Sequence, residues 1–78
     1  MIHVKFLAFA RTADLLGWRD MIVECGPGET PREIMERIAP GFSPDAIRVA
    51  VDCEYCSWDD AVGALAQEVA LIPPVSGG

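Results

Sequence analysis

Thr30-Pro31-Arg32-Glu33 marks a helix start with segments of strand period on both sides, which restricts the chain to a sheet folded around one helix. Thr30 can accept from the first free amides, Pro31 suits the first helical position, and Glu33 can reach back to the Thr30 amide. Ile34, Met35 and Ile38 follow as a buried stripe, and Pro40-Gly41 ends the helix. Upstream, Ile2, Val4, Phe6 and Ala8 alternate with His3, Lys5, Leu7 and Phe9, the period of a strand whose first set faces the core. Residues 10–16 read as a short helix anchored by Leu15 and Leu16 and stopped by Gly17. Met21, Val23 and Cys25 alternate with Ile22 and Glu24 in a second strand. Downstream, Ile47, Val49 and Val51 alternate with Arg48 and Ala50, residues 52–58 turn and pair locally, and Val69 and Leu71 form a last strand with Ala70 and Ile72 on its other face. The expected class is α+β: a mixed sheet of four to five strands packed on one main helix plus a short helix.

At 78 residues, 51% of them hydrophobic, the chain makes one small domain able to fold without disulfides or metal. No stretch approaches the roughly 18 apolar residues that span a bilayer. Met1-Ile2-His3-Val4-Lys5 lacks the features of a secretion signal, so a cytoplasmic location is expected. A net charge of −6 disfavours nucleic acid and anionic membranes and suits a basic protein partner, though plain solubility explains it equally well. Cys25, Cys53 and Cys56 are expected as free thiols. Cys53-Glu54-Tyr55-Cys56 has the spacing of a zinc or redox pair. Zinc would need two more ligands, and only Cys25 and His3 remain, in no recognisable spacing. A redox pair usually opens a helix, whereas this one lies among strands. Small hydrophobes are the better reading, and His3 is expected to be a solvated strand residue.

The chain closes on Ser76-Gly77-Gly78, and residues 69–78 carry no ionisable side chain. Leu71-Ile72-Pro73-Pro74-Val75 reads as a strand running into a stiff segment that projects the two glycines. Residues 1–72 are thus expected to form the folded domain and 73–78 a flexible tail. Glycines without a Cβ can thread a narrow passage while adding nothing to a core. Such an end points to the terminal carboxylate of Gly78, whose pKa of about 3.3–3.7 makes it an anion and a poor electrophile. Acyl-adenylate formation would supply a good leaving group. The sequence has neither a phosphate-cradling glycine loop nor a nucleophile–base–orienter set, so activation falls to a partner. Leu7, Phe9 and Ile72, on the off-core faces of the first and last strands, offer an apolar docking patch beside the tail, with Arg11 available to acids on a partner. The alternative is that a loop or the first helix covers Phe9.

The tail Pro73-Pro74-Val75-Ser76-Gly77-Gly78, the opening Ile2-His3-Val4-Lys5-Phe6, Ala10-Arg11 entering a short helix, and Glu68-Val69-Ala70 together resemble the molybdopterin synthase small-subunit family. These are ubiquitin-like β-grasp sulfur carriers, and the resemblance spans nearly the whole chain in order. It implies a first strand parallel to the last in mid-sheet. It also implies that an adenylating, ubiquitin-activating-like enzyme uses ATP on Gly78, and that a sulfur donor protein then yields a thiocarboxylate. Pro73, Pro74, Val75, Ser76 and Gly77 would thread into the active site of the large subunit, in a heterotetramer, for molybdopterin dithiolene formation in molybdenum cofactor biosynthesis. The chain would be a consumed co-substrate, binding no cofactor or metal itself. Ala66-Gln67 stands where the family usually has a Gly-Asp turn, and Asp52 where it commonly has Asn. A carrier for cysteine, thiamine or tRNA thiolation, a non-covalent ubiquitin-like interaction module, and a modifier joined to lysines remain open alternatives.

Overall fold

The computed structural model describes residues 1–73. Chain order runs β1 (Ile2–Ala8), α1 (Ala10–Leu16), β2 (Asp20–Cys25), α2 (Pro31–Ile38), β3 (Arg48–Val51), β4 (Glu54–Cys56) and β5 (Glu68–Ile72). One five-stranded sheet is ordered β2-β1-β5-β3-β4. β1 and β5 are its parallel pair, with Phe6 opposite Val69 and Ala8 opposite Leu71. The other pairings are antiparallel.

The capping box forms as the residues dictate: the Thr30 side chain accepts from the Glu33 amide, and Glu33 accepts from the Thr30 amide at 3.0 Å. It sets the start of α2, which lays Ile34 and Met35 against Val4, Phe6, Val23, Cys25, Val49, Val69 and Leu71. Both core-facing strand sets predicted for β1 and β5 point to this helix, and the sheet with α2 on one side is the expected α+β arrangement. Trp18 and Trp58 pack at the rim of the core, and the Trp58 indole N–H donates to the Ile47 carbonyl at 2.9 Å.

α1 spans the residues expected, and Gly17 closes it at φ 84° while its amide donates to the Ala13 carbonyl. Its anchoring differs from expectation. Leu15 is 70% exposed, and Leu16 and Thr12 face inward instead. Two adjacent leucines cannot both face the sheet from a two-turn helix, and the close of α1 over the β1 end turns the 12/16 stripe inward. Thr12 is 1% exposed and its hydroxyl has no hydrogen-bond partner. A buried hydroxyl without a partner carries a desolvation penalty of about 1–3 kcal/mol. Thr12→Val keeps the branched shape and deletes that group, so thermal melting should show a stabilisation of about 1 kcal/mol or more. A lower melting temperature would mean that the hydroxyl is satisfied in solution.

Asp52 and Cys53, at φ 49° and 71°, form the two-residue turn of the β3–β4 hairpin. Positive φ at both central residues is what a type I′ turn demands. One Asp52 carboxylate oxygen accepts from the Gln67 and Glu68 amides, each at 3.0 Å, and the Asp52 amide donates to the Glu68 carbonyl at 2.9 Å. The turn therefore holds the start of β5. An Asn at this position would offer the same accepting oxygen through its side-chain carbonyl.

Candidate docking face and tail exit

The face of the sheet away from α2 is built from the second residue set of each strand. Register places Asp20, Leu7, Ala70, Ala50 and Tyr55 in one row across the sheet. Ile72 lies opposite Arg48, and because Ala8 faces Leu71, Phe9 follows at the same strand end as Ile72. Leu7 and Ile72 are half-buried and Phe9 is 47% exposed, so neither a loop nor α1 covers it. Ala50 and Ala70 keep the middle of this face flat, since neither has a side chain beyond Cβ. Arg11 is exposed on α1, two residues past Phe9.

Leu7, Phe9 and Ile72 thus share one sheet end, the end from which β5 leaves toward the C-terminus. Pro73, half-buried, is the last described residue there. Pro74, Val75, Ser76, Gly77 and Gly78, assigned from the sequence to tail threading and chemistry, lie outside the described residues. Three members of the face escaped the sequence reading: Ile22, Tyr55 (65% exposed) and Arg48, whose guanidinium lies 5.5 Å from the Tyr55 ring centroid. The alternation of Arg48 with Val49 and of Tyr55 with Cys56 carried the signal for the outward facing. Only the register reveals that Arg48 meets Tyr55.

The remaining reactive groups do not assemble into a second site. His3 sits 3.3 Å from Glu24 on the solvated part of β1 and β2. Among the described residues, no three His, Cys, Asp or Glu side chains converge in a way that could hold a metal. Cys56 is pushed up in pKa by burial and by the nearby Asp60 carboxylate, and Cys25 by burial and by Glu29, so both favour the neutral thiol. Cys53 lies exposed in the β3–β4 turn and Cys56 half-buried on β4, both as free thiols. The Cys-x-x-Cys spacing thus runs from a hairpin turn into a strand rather than opening a helix, the setting that lowers the thiol pKa of redox pairs. A Cys53→Ser/Cys56→Ser double variant should load sulfur at the C-terminus as fast as the parent chain. Loss of loading in a folded double variant would route the sulfur through these thiols.

Comparison with known proteins covers the chain from end to end. The family model described as "ThiS family" matches residues 4–78. The chain is 32% identical to the molybdopterin synthase sulfur carrier subunit of Arabidopsis thaliana, over 99% of this chain and 84% of that protein. It is 38% identical to the subunit of the same name from Caenorhabditis briggsae, over the full length of both. The fold is similar to that of SAMP1 of Haloferax volcanii, a small archaeal modifier protein, at a TM-score of 0.76 and 27% identity over 99% of this chain and all of that one. The sheet order, the single core helix and a match running through the Gly-Gly end agree in assigning this ubiquitin-like β-grasp chain to the ThiS family, and the likeness to the molybdopterin synthase small subunit holds over its whole length.

Proposed function

We propose that this chain is the sulfur carrier subunit of a molybdopterin synthase and that Gly78 carries the sulfur as a thiocarboxylate. The observation that supports it most is full-length likeness to two sulfur carrier subunits, with the family match continuing to residue 78. Chemistry supports the same role. The terminal carboxylate is anionic at neutral pH and must be activated before sulfur can replace oxygen. In the proposed sequence, an adenylating enzyme joins the Gly78 carboxylate to AMP from ATP and releases pyrophosphate. A donor persulfide attacks the Gly78 carbonyl through its outer sulfur and AMP leaves; a thiol then attacks the donor's inner sulfur in the resulting acyl disulfide, forming a disulfide with the donor and releasing the thiocarboxylate. The large subunit receives the tail, Pro73 to Gly78, in its active site and passes the sulfur to the dithiolene precursor. Water takes the acyl group as the C–S bond breaks, and the chain returns as carboxylate. It supplies no catalytic side chain, binds no cofactor of its own, and works in the cytoplasm.

Leu7, Phe9, Ile72 and Arg11 are the proposed contacts to the large subunit, placed beside the strand end from which the tail departs. Reconstitution tests the whole scheme. Loaded chain, mixed with the cognate large subunit and the precursor, should form a stable complex and return unloaded as product appears. Product formation without consumption of the loaded chain would contradict it. The likeness to a small archaeal modifier protein favours a second reading, in which Gly78 is joined to lysines of other proteins. That reading requires a Gly-Gly remnant on lysines of target proteins after proteolysis, which the carrier reading does not.

A further inference from the structure

β2 is one edge of the sheet, and its six residues make it longer than the other edge strand, the three-residue β4. Antiparallel ladders alternate between residue pairs that exchange hydrogen bonds and pairs that do not. The Ala8 amide donates to the Arg19 carbonyl at 2.9 Å, so in this register the exchanging pairs are Phe6–Met21, Val4–Val23 and Ile2–Cys25. Lys5 agrees with that phase, because its amide points away from β2 and donates to the Gln67 carbonyl at 2.9 Å. The N–H and C=O groups of Asp20, Ile22 and Glu24 therefore point out of the open edge. No turn or loop backbone group closes on them among the described residues. The same three residues alternate with core-facing Val23 and Cys25, so their side chains lie on the face away from α2, all exposed, Ile22 by 61%. Along the edge this face reads acid, isoleucine, acid. Asp20 has no basic partner among the described residues, Glu24 has only His3 at 3.3 Å, and Lys5, opposite Ile22, pairs with neither acid.

A strand that joins an edge sets its residues directly opposite those with outward backbone groups, with the paired side chains on one face. Charge on that face decides which strand fits. A second copy of β2, antiparallel about Ile22, would set Asp20 against Glu24 twice, and like charges directly opposed are destabilising. Outward acids thus keep this open edge from pairing with itself. They attract a strand of opposite sign. We propose that the β2 edge accepts an extended segment of another protein with the alternation basic–x–apolar–x–basic, added antiparallel as a further strand. Its two basic residues would face Asp20 and Glu24, and its apolar residue would cover Ile22. Its backbone would satisfy the outward N–H and C=O groups of all three. The basic partner that suits the net charge of the chain is thereby given a place and a pattern. β1 separates this edge from β5, and the pairing holds whether or not Gly78 carries sulfur.

The test is amide hydrogen exchange of the full chain, followed residue by residue by NMR, with the synthetic peptide Thr-Lys-Thr-Val-Thr-Lys-Thr at saturating concentration. The amides of Asp20, Ile22 and Glu24 should slow about tenfold or more, whereas those of Met21, Val23 and Cys25, already bonded to β1, should change little. The same peptide with Glu in place of Lys should leave all six unchanged. Asp20→Asn/Glu24→Gln should weaken binding of the lysine peptide about tenfold, as loss of two exposed ion pairs would. Ile22→Pro deletes one outward N–H and no bond to β1, the placement in which an edge strand tolerates proline, so it should fold and bind at least about tenfold more weakly. Circular dichroism checks folding, and if Ile22→Pro does not fold, Asp20→Asn/Glu24→Gln decides. No slowing with the lysine peptide, equal slowing with the glutamate peptide, or parental binding by either folded variant would overturn the inference. Slowing of the same amides that grows with chain concentration alone would also overturn it, since the occupant would then be a second copy.

Discussion

Removing Gly77 and Gly78 should abolish sulfur loading and leave the melting temperature essentially unchanged. The stability half of this expectation follows from where the core lies. Among the described residues, the core cluster falls between Val4 and Leu71, and the partly buried side chains packed on it fall between Ile2 and Trp58. Deleting two glycines beyond Pro73 therefore removes no packed side chain, and it removes two residues that are the most expensive in backbone entropy to order. The functional half follows from size. A shortened chain would end at Ser76, whose carboxylate is two residues short of its reach and carries a Cβ that a passage shaped for glycine must exclude. Loading should fall by orders of magnitude rather than by a fraction. A clear drop in melting temperature would instead assign the glycines a structural role. Retained loading at Ser76 would remove the reason for the Gly-Gly end.

Leu7→Asp and Ile72→Asp should each weaken binding to the large subunit at least tenfold while the chain stays folded. Both side chains are half-buried on the face away from α2, so neither substitution opens a hole in the core. Full burial of a leucine or isoleucine in a complex contributes roughly 1.5–3 kcal/mol, and about 1.4 kcal/mol is already tenfold. An aspartate loses that gain and adds an unpaired charge at the contact. The two variants differ in the free chain. Asp at position 7 would face Asp20 directly and should lower stability slightly, by a few tenths of a kcal/mol up to about 1. Asp at position 72 would face Arg48 and should be neutral or mildly stabilising. Binding assayed by calorimetry and folding by thermal melts separate these effects. Parental affinity in both variants would remove the patch from the interface.

The parts of the fold that local chemistry decides were legible in the sequence. The Thr30 capping box, the Gly17 stop and the inward sets of β1, β2 and β5 each depend on residues within a few positions of one another. Strand order is different, since periodicity gives the facing of a strand and not its neighbour. The parallel pairing of β1 with β5 came from the family resemblance. Leu15 was misread because a short amphipathic helix with two adjacent leucines has two plausible inward stripes, and the angle at which it crosses the sheet end decides between them. The β3–β4 turn was blurred because Asp52-Cys53 lacks the glycine that usually announces positive φ. At the candidate site, Leu7, Phe9 and Ile72 stood out as apolar residues on a polar-expected face. Arg48 and Tyr55 did not, because their stacking exists only once the hairpin register is set.

The central claim, that sulfur is carried on the terminal carboxylate, is tested most directly by intact mass followed by fragmentation of the C-terminal peptide. The full chain is incubated with an adenylating enzyme of the ubiquitin-activating type, ATP and a sulfur donor. The account predicts a mass gain equal to exchanging one oxygen for sulfur, located on Gly78 and absent when ATP is omitted. A gain located on Cys25, Cys53 or Cys56 with Gly78 unchanged, or no gain at all with an enzyme that adenylates the chain, would contradict it.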